Sequence, residues 1–403
     1  MPRLFDPLYI RGVRLRNRVC MSAMMQASAR DGLVNDWHLV HLGSRAVGGA
    51  ALVMTEAVAV ELPGRMALSD LGIWDDEHVA GLKRISDFIH SQGAIAGIQL
   101  SHCGRKCSYA PLFDDQGPIP LRFLPLSKGG WTPQGPSAIP FDESSPLPVA
   151  MEHQDISRVT DAFRHAARRA VTAGFRWIEL HAAHGYLMHA FYSPVSNHRT
   201  DRYGGSFDNR IRLMREIVRA VRHELNEGQV LAVRISYTDW IEDGWQLEDS
   251  TRLAPLLEED GVDVIDVSSG GSTPARTEQI QQVTDLSIKP DKKVAGIPIG
   301  PGYQVAGAQA IKQACGLYVG AVGLITHPAQ ADQILRDDKA DLIFLGRELL
   351  RDPYWTLHAA IELGETTRAR LPAQYYLGWN MYPDFGYAPV SAPHDNSTAP
   401  SQD

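Results

Sequence analysis

Short apolar runs alternate with amphipathic stretches along nearly the whole 403-residue chain. Eight runs read as strands: Val19–Met24, Ala51–Ala57, Ala94–Leu100, Trp177–His181, Leu231–Ser236, Val262–Ser268, Leu317–Gly323 and Leu342–Gly346. They lack the strict alternation of a half-exposed strand, which is the pattern of strands covered on both faces. Between them lie helical stretches such as Asp76–Gln92, Asp155–Ala173 and Asn209–Glu227. Each is followed by a glycine (Gly93, Gly174, Gly228), the usual residue for a left-handed helix stop. Strands separated by helices predict parallel βα units, and a closed (β/α)8 TIM barrel fits both count and length. A doubly wound open sheet is the alternative; no Gly-x-Gly-x-x-Gly turn follows the first strand to favour it.

Two insertions interrupt the pattern. Cys107 to Val149 is rich in proline, glycine and serine and too long for an ordinary βα connection, and Ser269 to Lys293 is a second long polar connection. In a barrel both are expected over the C-terminal face as lid loops. Residues 1–387 are expected to form the barrel, and 388–403 read as a disordered tail.

Composition narrows the function classes. A hydrophobic fraction of 44% with 21% charged residues is that of a soluble globular protein. The net charge of -8, without a long basic run, argues against nucleic acid or an anionic membrane as partner. The start, Met1-Pro-Arg-Leu-Phe-Asp-Pro7, lacks the apolar core of a signal peptide, and Ala46–Leu62, which carries Glu56, falls short of a membrane span. Cys20, Cys103, Cys107 and Cys315 read as free thiols in a reducing cytoplasm.

The chemistry collects where the strands end. His181-Ala-Ala-His184-Gly-Tyr186 places two imidazoles and a phenol after a buried strand, a set able to grip an electron-rich oxygen and offer a proton beside it. His189 adds to a metal reading, but no aspartate or cysteine at a clear ligand spacing completes a site, so a hydrogen-bonding pair is preferred. Core histidines satisfied by backbone carbonyls are the bland alternative. Gln99 and His102 follow the third strand, Arg234 lies in the fifth, and Ser268-Ser-Gly-Gly271 ends the sixth. Such clustering marks the catalytic face of a barrel. Arg234 is costly in an apolar strand unless an anion compensates it: either Glu179 on the preceding strand, or an anionic cofactor or intermediate. The last two strands end in Gly320-Ala-Val-Gly323 and Gly346-Arg347. Glycine permits close approach, a helix N-terminus offers N–H groups to an anion, and these loops are the usual phosphate site of the fold. Tight αβ turns would account for the glycines but not for Arg347.

With these residues in view, the chain resembles the old yellow enzyme family of FMN-dependent ene-reductases. The resemblance runs from Leu4-Phe-Asp-Pro7 and Leu15-Arg-Asn-Arg18 to Gly346-Arg-Glu-Leu-Leu-Arg-Asp-Pro353. Its most specific parts are His181-Ala-Ala-His-Gly-Tyr-Leu187, Arg199-Thr-Asp-Arg-Tyr-Gly-Gly-Ser-Phe-Asp-Asn-Arg210 and Gln99-Leu-Ser-His-Cys-Gly-Arg-Lys106. The two histidines and Asp31-Gly-Leu-Val-Asn-Asp-Trp-His38 resemble the bacterial xenobiotic-reductase-like branch.

The resemblance implies tightly but non-covalently bound FMN, with NADPH or NADH as reductant. It implies that the backbone around Ala23 and Met24, with Met25, Ala57 and Gln99, holds the flavin ring. Arg234 would lie at its pyrimidine end, and Gly323, Gly346 and Arg347 would hold the phosphate. His181 and His184 would bind a carbonyl or nitro oxygen of the substrate, and Tyr186 would protonate Cα after hydride passes from flavin N5 to Cβ. Three positions depart from the family pattern. Met25 stands where a cysteine often contacts the flavin, Ala27 replaces an aromatic beside the substrate, and Leu377 stands where some members send an arginine into a neighbouring subunit. The implied activity is reduction of activated C=C bonds in enones, enals and maleimides, by a homo-oligomer acting on small electrophilic alkenes. The alternatives are nitro-compound, xenobiotic or amine oxidoreduction on the same fold, and a flavin-free barrel lyase or metal hydrolase using the histidine pair. The related amine dehydrogenases and dienoyl-CoA reductases add an iron–sulfur cysteine cluster and a further domain, neither of which is expected here.

Overall fold

The computed structural model describes residues 3–114, 117–118, 122–274, 297, 299–369 and 372–375. Eight parallel strands close into a barrel: β1 (Val19–Met21), β2 (Leu52–Ala59), β3 (Ile95–Ser101), β4 (Trp177–Ala182), β5 (Val230–Ser236), β6 (Val264–Ser268), β7 (Tyr318–Ala321) and β8 (Leu342–Leu345). Each pairs with the next, and β8 closes on β1 through Ile343–Val19, Phe344–Cys20 and Leu345–Met21. Around them lie α1 (Asp36–Val47), α2 (Glu77–Ser91), α3 (His153–Thr172), α4 (Arg212–Glu224), α5 (Leu247–Glu259), α6 (Val305–Ala314), α7 (Pro328–Arg336) and α8 (Trp355–Glu362).

The strands have no sequence alternation because both faces are apolar over most of their length. Ile178, Leu180, Leu231, Val233, Ile265 and Val267 face the helices, while Trp177, Val230, Val264, Leu342 and Phe344 fill the barrel interior. The helices close the outer layer with one apolar stripe each; on α4 it is Leu213, Met214, Ile217, Val218 and Val221. A hairpin of Leu8–Ile10 and Val13–Leu15 plugs the N-terminal end, its Leu8, Ile10, Val13 and Leu15 joining the interior cluster.

Several strands are shorter than the apolar runs that announce them. β1 stops at Met21, β7 at Ala321 and β8 at Leu345, so that Ser22–Met24, Val322–Gly323 and Gly346 leave the ladder just where the barrel opens. β2 runs on to Ala59 instead, and its pairing with β3 shifts between Met54 and Ala57, a bulge that re-aims Glu56. The stretch Asn209–Glu227 is not one helix. Phe207–Arg210 forms a separate turn, α4 ends at Glu224, and Leu225 turns extended and buries its side chain; Gly228, with φ of +86°, serves the turn beyond.

The first insertion carries short strand pairs, Phe113–Asp114 with Gly117–Pro118 and Gln134–Gly135 with Val149–Ala150. It is bound to the loops that follow β2, β3 and β4. Tyr109 N–H donates to Met66 O (2.8 Å), Trp131 Nε1 to Pro63 O (2.9 Å), and Arg105 to Pro140 O (3.1 Å). Arg199, from the second polar motif, donates to Pro136 O (3.0 Å) and Met151 O (2.6 Å). Most of the second insertion, Leu377 and the 388–403 segment lie outside the described residues. Among the described residues no helix is long and apolar enough to cross a membrane.

Candidate active site

Toward the C-terminal end of the barrel the inward positions change from apolar to polar. Along β4 they read Trp177, Glu179, His181; along β5 Val230, Ala232, Arg234; along β6 Val264, Asp266, Ser268. The period of two that fills the interior with apolar side chains thus delivers charge and hydrogen-bonding groups two residues later.

His181, His184 and Tyr186 come together. The two imidazole rings are 5.1 Å apart at 87°, and the phenol ring lies 4.7 Å from His181 at 90°. Burial, and then the positive charge of Arg234, hold both histidines well below their usual pKa, so each is neutral and carries one N–H. His181 Nδ1 accepts from the Ala183 N–H (3.3 Å), which leaves Nε2 to carry the proton. His184 Nε2 meets Ser268 Oγ at 2.7 Å. Burial pushes the Tyr186 phenol well up, so it stays a proton donor; among the described residues its hydroxyl meets the weak acceptor Met66 Sδ at 3.5 Å.

The turn that presents these groups is built for them. His184 has φ of +59° and Gly185 of +75°, and a Cβ at Gly185 would stand 2.1 Å from Gly271 O. Lys106 Nζ ties the two loops by donating to His184 O (2.7 Å) and Gly271 O (3.2 Å), and lies 5.2 Å from the Tyr186 ring centroid. His189 is a prop and not a third ligand. Its Nδ1 accepts from Gly185 N–H (2.8 Å), and its Nε2 pairs with Asp239 at 2.9 Å. His102 is likewise absorbed, by Glu61 at 2.9 Å. Among the described residues no group of three or more His, Cys, Asp or Glu could hold a metal.

A cavity of about 260 Å³ opens beside this triad, where β1, β7 and β8 leave the ladder. Ala23, Met24, Arg234, Gly323, Gly346 and Arg347 line it. Ser268 also lines it, and its hydrogen bond to His184 joins the cavity to the histidine pair. Ala57 and Gln99 stand side by side in register on β2 and β3 and do not line this cavity. Met25 and Ala27 belong to the loop after β1. Glu56 shapes that loop by accepting from the N–H groups of Gln26 (2.9 Å) and Ala27 (3.1 Å), and meets His38 at 3.2 Å.

Arg234 does not pair with Glu179. It faces Asp266, Nε to Oδ2 at 3.4 Å, while Glu179 accepts from Gln99 Nε2 at 2.7 Å. Sequence reasoning also missed Tyr303 and Gln304, which line the cavity from the turn before α6. Gln304 accepts from Ser269 Oγ (2.5 Å) and donates to Val322 O (3.2 Å). Glu56 was missed as well, although its charge within an apolar run is a signal in the sequence; Tyr303 and Gln304 carry no such signal.

The lining suits an elongated anionic group. Ser22 Oγ and Arg234 Nε are buried without a hydrogen-bond partner. Gly323 has φ of +121°, and a Cβ there would stand 2.9 Å from Gln304 Nε2, so the backbone forms a cradle that a side chain would fill. Arg347 and the start of the Arg347–Arg351 helix add positive potential beside it.

A closed parallel barrel with an anion-receptive cavity and neutral proton-donating groups at its C-terminal face defines a barrel enzyme acting on a small molecule. The chain belongs to the NADH:flavin oxidoreductase / NADH oxidase family, which it matches over residues 3–365; this is the old yellow enzyme family. It is 43% identical over 380 residues to the NADPH dehydrogenase of Geobacillus thermodenitrificans, covering 94% of this chain and 99% of that protein. Among solved structures it is similar to morphinone reductase (TM-score 0.71, 25% identity, 98% of this chain and 99% of that one). It is also similar in fold to a 2-naphthoyl-CoA reductase complex (TM-score 0.75, 24% identity, 91% of this chain), of which it spans about half, 53%.

Proposed function

We propose that this protein reduces C=C bonds activated by a carbonyl or nitro group. FMN is its cofactor and NAD(P)H its reductant, as its family membership gives. The observation that carries the reading is the junction at Ser268, which lines the cavity together with Arg234 and hydrogen-bonds His184, itself in ring contact with His181 and, through it, with Tyr186. The flavin supplies hydride to the substrate when bound. All other work falls to this chain.

Gly323, Gly346 and Arg347 would receive the phosphate, the backbone of Ala23, Met24 and Met25 with Ala57 and Gln99 would hold the ring, and Arg234 would stand at its pyrimidine edge. His181 would donate from Nε2 to the substrate oxygen, and His184 from Nδ1, its Nε2 accepting from the Ser268 hydroxyl. Because both are neutral donors already fixed by Ala183 and Ser268, they stabilise charge developing on that oxygen without rearranging. That withdrawal makes Cβ electrophilic. Tyr186 would then pass its proton to Cα, and its high pKa keeps that proton in place until carbanion character develops. The first insertion would act as a lid, anchored by Arg105 and Arg199. Ala27 would leave room beside the substrate.

The test is spectroscopic. The purified protein should be yellow, bleach with NADPH or NADH without oxygen, and recolour with an enone but not with the matching saturated ketone. A protein that bleaches but is recoloured only by nitro compounds or oxygen has a different substrate, and a protein that cannot be loaded with FMN overturns the reading.

A further inference from the structure

Below the proposed cofactor site, three charged side chains share the barrel interior. Arg234 of β5, Glu179 of β4 and Asp266 of β6 are buried, with exposures of 6%, 0% and 0%. One guanidinium serves two carboxyl groups on the strands either side of it, in contact with Asp266 and without a direct hydrogen bond to Glu179. The Arg234–Asp266 contact, at 3.4 Å, is longer than a charge-assisted hydrogen bond. Gln99 Nε2 satisfies Glu179 Oε1, but Glu179 Oε2 and both oxygens of Asp266 have no hydrogen-bond partner among the described residues. The other neighbours add no positive charge: β1 contributes the thiol of Cys20, β4 the neutral His181, β7 Gly320 and β8 Phe344. Two ionised carboxylates here would leave a net negative charge in a dry interior, which is far costlier than binding a proton.

We propose that Glu179 and Asp266 share one proton, and that this proton keeps the charge of Arg234 available to the cofactor above it. This rests on the flavin reading. Glu179 is then a positioning residue: its neutral carboxyl orients the Gln99 amide and removes a negative charge that would oppose an anionic ligand. Burial and the neighbouring Asp266 both push Glu179 above the usual carboxylate range, against the pull of Arg234, Gln99 and the Trp177 indole N–H, in keeping with this. Asp266 is also raised, by burial.

The balance has a measurable consequence. Reduction moves a hydride, two electrons and a proton, from the nicotinamide to the flavin and leaves one negative charge at its pyrimidine end. Where high pH has stripped the pair of its proton, that charge draws one further proton from solvent onto Glu179 or Asp266, forming one carboxyl O–H bond. Reduction therefore takes up one proton near neutrality and two at higher pH.

The experiment follows the flavin midpoint potential of the holoenzyme from pH about 7 to about 10. In the wild type the slope per pH unit should double toward the upper end, and in Glu179→Gln, which mimics the protonated acid, it should stay at the one-proton value. A single slope in the wild type, or an unchanged steep limb in Glu179→Gln, overturns the proposal. Infrared spectra of the protein as purified provide a reading independent of the flavin. A carboxylic C=O band at neutral pH that disappears at high pH, and is lost in Glu179→Gln or Asp266→Asn, supports the shared proton even if the FMN reading fails. Absence of that band from the wild type overturns it even if FMN is bound.

Discussion

The two ends of the barrel interior are built from the same strands and obey opposite rules. At the N-terminal end the hairpin residues Leu8, Ile10, Val13 and Leu15 join Trp177, Val230 and Leu342 in one apolar cluster. Two to four residues further along the same strands stand Glu179, His181, Arg234, Asp266 and Ser268. The apolar end owes its stability to volume and can accept similar shapes. The polar end depends on partners, because a buried charge that loses its counter-charge has no water to turn to. The plug makes the barrel rigid; the rim spends part of that stability on chemistry.

This contrast can be broken at either end. The largest effect should come from Tyr186→Phe, which keeps the ring and removes the proton: oxidation of the reduced enzyme by an enone should slow by about 10²–10⁴-fold, with flavin content and melting temperature unchanged. An unchanged rate in stopped-flow traces would place the proton donor elsewhere. Next, Arg234→Met leaves Glu179 and Asp266 without their counter-charge and should cost about 3–5 kcal/mol by denaturant unfolding, with loss of bound flavin. At the plug, Leu15→Ala should cost about 2–5 kcal/mol while leaving the rate of the remaining folded enzyme intact. Equal losses of rate and stability there would mean that the two ends are not separable.

Smaller effects should sharpen the same division. Ser268→Ala removes the partner of His184 Nε2 and should weaken substrate binding by about 1 kcal/mol, read as a rise in KM larger than the fall in kcat. The rim should also be the pH-sensitive end. Burial raises Asp70, which accepts from Met66 N–H at 2.6 Å beside the Tyr186 loop, from its ordinary 3.8 to about 7. The folded state therefore binds this proton more tightly than the unfolded chain. The associated stability is complete below the unfolded pKa and is lost as pH rises toward about 7. Asp70→Asn should flatten the fall in melting temperature across that interval, and an unaltered pH profile would show that Asp70 titrates normally.

Much of this architecture is legible in the sequence. The eight apolar runs correspond to the eight barrel strands, and the motif around His181, His184 and Tyr186 lies at the opening of the barrel. The failures share a cause. Arg234 invites pairing with Glu179 because the two sit on consecutive strands, yet Glu179 is level with Ala232, while Arg234 is level with Asp266. The stagger between strands arises from closure of the whole sheet and is not encoded in any one segment. Gln304 was invisible for a related reason. Its amide matters only because the turn before α6 brings it to Ser269 and Val322.

By itself, then, the sequence determined the inventory: which segments become strands, which of their positions face inward, and which chemical groups stand at the rim. That follows because hydrophobic period and local turn chemistry act over a few residues. Tertiary structure alone decided the partners. It set Asp266 opposite Arg234, Ser268 against His184 and Glu56 under the loop of Met25 and Ala27, since barrel closure, shear and a single bulge bring together residues that are far apart along the chain.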